Sequence, residues 1–104
     1  MEPVACTLNA SNLKSQRERW ADLGRRFGIA RHEAADGLRL TFEDRPAVEA
    51  ELRALVAVEN ECCRWAVWSV EREDGALVMA ARSHGEGIAT LHGMFTSAIP
   101  TTTG

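Results

Sequence analysis

Two adjacent cysteines near the middle of the chain are the residues best suited to chemistry. Cys62 and Cys63 follow Glu61, and the third cysteine is Cys6. Three thiols in a chain whose first residues show no secretory signal predict reduced cysteines in the cytoplasm, not a disulfide framework. Thiolates are preferred ligands of soft ions, so the pattern favours binding of Hg(II), Cu(I) or As(III). Cys62 and Cys63 would be the primary ligands and Cys6 the third.

Two other uses of these residues stay open. The thiols lack the CxxC spacing of zinc sites and of thioredoxin-type redox sites. The protein would be a thiol-dependent enzyme if one cysteine acted as a nucleophile with help from His84 or Glu61. The sequence does not indicate which cysteine would be catalytic. A third interpretation is a non-catalytic homodimer that binds a small molecule, in which Trp65 or Trp68 is exposed on a sheet face.

Composition and charge exclude several classes of protein. The chain has 104 residues, of which 45% are hydrophobic and 26% charged. These values predict one soluble domain over residues 1–99 and a frayed tail over residues 100–104. Apolar runs fall short of the roughly 20 residues that a membrane span needs. Basic and aromatic side chains do not alternate as they do on a nucleic-acid-binding surface, so neither nucleic acid nor a membrane is an expected partner. The expected partner is a metal ion or a small thiol.

Periodic patterns show which elements must position the cysteines. Each Asp-Gly dipeptide favours a tight hairpin turn. Cys62 falls on the apolar stripe of a helix, whereas Cys63 is rotated by about 100° toward the edge of that stripe. The expected elements are a strand at 4–8, a helix at 12–27, a hairpin at 29–43, a helix at 47–63, a hairpin at 64–83 and a helix from 86 to 98.

This order of elements predicts an α+β fold. We expect a ferredoxin-like β-α-β-β-α-β core, extended by a further strand and a C-terminal helix, with an antiparallel sheet and the helices on one face. In that topology the first strand lies beside the fourth, and the fifth returns to the same edge. His32 and His92 are expected at the surface or its boundary. The residues expected to converge as metal ligands are Cys6, Cys62, Cys63 and His84.

Three short motifs of the chain stand out beside these patterns. They are an ACTL strand at residues 5–8, an ECC-x-aromatic segment from Glu61 to Trp65, and a Gly-Glu-Gly helix start ahead of LHGMF. Together they resemble a family of small, mostly uncharacterised bacterial proteins associated with heavy-metal, especially mercury, resistance regions. The resemblance implies no activity. The matching positions are Cys6, Glu61, Cys62 and Cys63, whereas Arg64 and His84 depart from residues common in that family.

Overall fold

The computed structural model describes residues 10–62 and 64–95. Their helices and strands confirm the α+β class, with a four-stranded antiparallel sheet and three helices, compatible with a ferredoxin-like fold. The strand predicted at 4–8 and the tail at 100–104 lie outside the described residues. In chain order the elements are α1 (Ala10–Phe27), β1 (Gly28–Ala34), β2 (Gly37–Glu43), α2 (Pro46–Cys62), β3 (Val67–Glu73), β4 (Ala76–Arg82) and α3 (Glu86–Met94).

The strands lie in the order β1-β2-β4-β3, and every neighbouring pair is antiparallel. β2 and β3 therefore run parallel to each other, with α2 connecting them and β4 between them. This is the split β-α-β unit of ferredoxin-like folds. The prediction that residues 4–8 lie beside the fourth predicted strand stays untested, because those residues lie outside the described part of the chain. The inner position between β2 and β3 belongs to β4, all seven residues of which pair on both sides.

One face of the sheet carries the hydrophobic core. Leu38, Leu40 and Phe42 of β2 are buried, as their alternation predicted. Their partners across the strand pair are Ala81, Met79 and Leu77 of β4, which are buried on the same face. Residues of all three helices complete this cluster, so the helices cover one side of the sheet: Trp20, Leu23, Val48, Leu52, Leu55, Val56, Leu91 and Phe95.

The two hairpins use different turns. Asp74 and Gly75 have positive φ values of 51° and 78°, as the Asp-Gly prediction for the second hairpin requires. The same prediction for the first hairpin was wrong by one residue, because Ala34 pairs with Gly37 and leaves Ala35 and Asp36 as the turn. Gly37 starts β2 instead. A Cβ at Gly37 would lie 1.9 Å from the carbonyl oxygen of Ala81, so close strand packing explains this glycine.

An ion-pair cluster joins β3 to the start of α2. The Arg72 guanidinium donates two hydrogen bonds to Asp44, at 2.7 and 3.1 Å, and one to Glu49 at 2.7 Å. The bond from Arg72 lowers the pKa of Asp44. Bonds from Arg53 and Arg72 lower the pKa of Glu49, while the two carboxylates raise the pKa of Arg72. All these groups are at least partly exposed at the surface, where salt screens such pairs.

Removal of Arg72 is expected to weaken the response of stability to acid. Both carboxylates have folded-state pKa values below their unfolded values, so their contribution is present above about pH 4 and lost as the pH falls further. Urea unfolding from neutral pH to about pH 2 should therefore show a shallower decline for Arg72→Ala than for the wild type. Arg64→Ala is the control, since Arg64 bonds only the backbone carbonyl of Glu61 among described residues. Equal declines in Arg72→Ala and wild type would contradict the prediction.

Candidate functional site

The structure places two of the four predicted metal ligands. Cys62 is the last residue of α2, and its half-buried thiol packs against the core and forms no disulfide within the described part of the chain. His84 is exposed just after β4. Cys6 and Cys63 lie outside the described residues, so convergence of all four stays a prediction. Within residues 10–62 and 64–95, no three His, Cys, Asp or Glu side chains are grouped closely enough to hold a metal ion.

The end of α2 and the segment with His84 lie at the same end of the sheet. The start of β3, which follows α2 after a short connection, is paired with the end of β4. The Ser83 hydroxyl donates a hydrogen bond of 2.7 Å to the backbone carbonyl of Trp65. This bond ties the residue before His84 to a residue three positions after Cys62. Packing of β3 on β4 therefore brings these two segments together.

The last turn of α2 is anchored on β3 by Asn60. Its side-chain amide donates to the Trp68 carbonyl at 3.2 Å, and its side-chain oxygen accepts from the Trp68 backbone N–H at 3.3 Å. The amide thus pairs with the strand as a neighbouring backbone would. Because Cys62 is two residues further along the same helix, its backbone is held by an anchored element and not by a free loop.

A buried carboxylate lies one helical turn before the cysteines. Glu59 is 2% exposed, and its Oε2 accepts hydrogen bonds from Trp20 Nε1 at 2.7 Å and Gln16 Nε2 at 3.0 Å. Gln16, itself 4% exposed, also donates to the Leu55 carbonyl at 3.0 Å. The sequence analysis did not single out Glu59 and missed this network. The available signal was the spacing of Gln16 and Trp20, which puts both side chains on one face of α1.

The tryptophans form part of the core, which corrects one prediction. Trp65 and Trp68 are 9% and 4% exposed, so neither lies open on a sheet face as the dimer interpretation required. The predicted hairpin began at residue 64, whereas β3 begins at Val67 and Trp65 precedes it. The two rings pack edge to face with centroids 6.5 Å apart. Trp65 Nε1 is buried without a hydrogen-bond partner in the described part of the chain.

The two remaining histidines lie where the sequence predicted. His32 is exposed on β1, and His92 lies at the boundary of the core with a side chain 28% exposed. His92 Nε2 is 2.8 Å from the Gly37 carbonyl oxygen. Arg31 of β1 donates to the His92 carbonyl at 2.8 Å and pairs with Glu33. These contacts tie α3 to the first hairpin, which indicates a structural role for His92.

Comparison with known proteins yields no relative of this chain. The chain matches no protein-family model, no curated protein and no solved structure. The resemblance to proteins of mercury-resistance regions therefore rests on the sequence motifs around the cysteines. Among the described helices, none combines the length and the apolar character that crossing a membrane requires.

Proposed function

We propose that the protein binds and transfers a soft metal or metalloid ion, of the Hg(II), Cu(I) or As(III) type, through cysteine thiolates. Cys62 and Cys63 are the primary ligands, Cys6 is the third, and His84 lies in the adjacent segment. The observation that carries the proposal is the position of Cys62. Its thiol, which forms no disulfide within the described residues, is half-buried at the anchored end of α2, which is also the end at which α1 begins.

The register of the two helices supports this arrangement. Arg19 of α1 contacts Glu51 of α2 at 2.6 Å, whereas Gln16, about one turn earlier, contacts positions one to two turns later. The helices therefore run antiparallel. Continuing the same register toward the start of α1 brings Ala10 level with the last turn of α2, where Cys62 lies.

Chain length then limits the distance between the distant thiols. Cys6 is four residues ahead of Ala10. Four extended residues span at most about 14 Å, so Cys6 cannot be further than this from the start of α1. Because Ala10 lies level with the last turn of α2, this limit is compatible with a site shared by the start of α1 and the end of α2. Cys63 is adjacent to Cys62 in the chain, so it belongs to the same site.

Ligand chemistry explains the choice of ion class. Thiolates select soft ions, and adjacent cysteines are a poor match to the compact tetrahedral chelate of a CxxC pair. A two- or three-coordinate soft ion does not require tetrahedral geometry. It exchanges between thiols when an incoming thiolate binds and a bound thiolate leaves. Each thiol that binds releases its proton, so uptake becomes stronger as the pH rises. A half-buried thiol is reachable for this exchange while its backbone is held.

Retention of one soft ion per chain is the expected result of native mass spectrometry on the reduced protein. The protein would be titrated anaerobically with Hg(II), Cu(I) and Zn(II) against excess glutathione. We expect the wild type to retain Hg(II) or Cu(I) and the Cys62→Ser/Cys63→Ser double variant to retain none. Cys6→Ser should bind about tenfold or more weakly, because it lacks one of the three thiolate ligands.

A matched control variant distinguishes ion binding at a specific thiolate site from ion binding by any exposed thiol. Ser69 is exposed on β3, at a position that faces away from the helices. Adding Ser69→Cys to the double-serine variant restores a thiol without restoring its position, so this triple variant should still lose the ion to glutathione. Equal retention by the wild type and the double-serine variant, or no retention by the wild type, would contradict the proposal.

A further inference from the structure

The sheet face opposite the helices is uncovered in the described part of the chain. Leu38, Leu40 and Phe42 point into the core, so the alternate positions of β2 and their paired neighbours point outward. At the centre of this outer face the side chains are small or short, and Val67 at its edge is 70% exposed. The central residues are Ala30, Thr41, Ala76 and Ala80, which are partly exposed, and Val78, which is 6% exposed. Such a surface lets another sheet approach closely.

Charges on the outer face are divided between its two ends. The half near the first hairpin turn carries basic groups, and the half near the second turn carries acidic groups. Arg39 and Glu73 already form an ion pair at 2.5 Å across the two halves. Arg82 has its nearest carboxylate, Asp36, at 4.0 Å. The basic set is His32, Arg39 and Arg82, and the acidic set is Glu43, Glu71 and Glu73, of which Glu43 is already paired with Arg45 at 3.1 Å.

We propose that this outer face binds a second copy of the same chain, independently of the thiol site. The two sheets would pack face to face, related by a two-fold axis that lies between them and runs perpendicular to the strands. The strands of one copy then run in the direction opposite to those of the other. The basic half of each copy then lies on the acidic half of the other, and the same contact is made twice. Stacking with the strands in the same direction would place like charges together, which disfavours that arrangement.

A depression in the basic half fits this pairing. It has a volume of about 150 Å³ and is lined by Arg39, Arg82 and Ala80, with Asp36 as the acidic member of the lining. Arg39 is already paired with Glu73, so Arg82, whose nearest carboxylate is 4.0 Å away, is the arginine left to receive an incoming carboxylate. Glu71 of the acidic half is exposed and makes no ion pair within the described residues, so it is available to a partner.

The size of the face sets the strength of the association. Four strands about 4.8 Å apart and seven residues long cover roughly 450 Å². Two copies would bury about 900 Å², which is near the lower limit for specific interfaces. We therefore expect a reversible dimer whose population depends on protein concentration and falls as salt screens the charged halves.

Sedimentation equilibrium from micromolar to near-millimolar protein tests the proposal. Ala80→Arg places a long charged side chain at the centre of the face and should weaken dimerisation by about tenfold or more. Ala54→Arg is the matched control on the exposed side of α2, and it should dimerise as the wild type does. Ser69→Arg, at an exposed outer position, replaces Ala80→Arg if circular dichroism shows that the latter is unfolded.

A charge exchange tests the orientation of the two copies. Arg82→Glu and Glu71→Arg should each weaken self-association, whereas an equimolar mixture of the two should associate more tightly than either variant alone. A wild type that is monomeric throughout the concentration range overturns the proposal and leaves the face to solvent or to another partner. A dimer that is unaffected by Ala80→Arg or Ser69→Arg overturns it as well, because the contact then lies elsewhere.

Discussion

Replacement of Glu59 by alanine is expected to destabilise the protein by about 3 kcal/mol, because the buried Trp20 indole N–H loses its acceptor and the buried Gln16 amide retains its bond to the Leu55 carbonyl but loses the one to Glu59. The Gln16 amide and the Trp20 indole N–H both end on Glu59 Oε2, and both residues are at most 4% exposed. A buried donor without a partner loses its bond to water and gains none in return. The effect should appear as a lower urea midpoint with an unchanged slope, followed by circular dichroism at neutral pH.

Controls for Glu59→Ala come from the same helix and the same network. Glu61→Ala, at an exposed position two residues further along α2, should change the free energy of unfolding by less than about 0.5 kcal/mol. Trp20→Phe removes one of the two donors, so it should cost less in the Glu59→Ala background than in the wild type. Equal stability of Glu59→Ala and Glu61→Ala would mean that the network does not stabilise the helix pair.

Replacement of Phe95 by alanine is expected to cost about 4 kcal/mol, the range for a large aromatic residue removed from a core. Phe95 is 2% exposed, and its ring packs against Trp20 at 5.2 Å and Trp68 at 6.0 Å between centroids. It therefore joins the end of α3 to both α1 and β3. Since domains of this size are stable by only about 5–15 kcal/mol, the variant should retain little stability.

The matched control for Phe95 is the phenylalanine at the end of α1. Phe27 is partly buried and packs at the margin of the core, with Arg26 and Arg45 over its ring. Phe27→Ala should cost about half as much or less, because less of its surface is removed from water. Thermal and urea unfolding of both variants would show the difference. A similar loss in the two variants would contradict the central position assigned to Phe95.

Much of the candidate site followed from local pattern. The apolar stripe of the second predicted helix put Cys62 at the core boundary, where the half-buried thiol lies. The second hairpin turn, at Asp74 and Gly75, makes β4 run antiparallel to β3. His84, which follows β4, therefore lies at the end of the sheet where β3 starts. Glu59 did not follow from pattern. A glutamate on a helix is normally expected to be exposed. The burial of Glu59 depends on Gln16 and Trp20, which lie about 40 residues away in the chain.

The sequence by itself determined the number, type and approximate bounds of the described helices and strands, since periodicity and turn residues act over a few positions. α1 was predicted at 12–27 and spans Ala10–Phe27, and α2 was predicted at 47–63 and spans Pro46–Cys62. Only the tertiary structure decided that β4 lies between β2 and β3, and that both Trp65 and Trp68 are buried. Strand neighbours and burial depend on contacts between segments that are distant in the chain. An alternating pattern of apolar residues is compatible with several such arrangements of strands, so it does not determine which one forms.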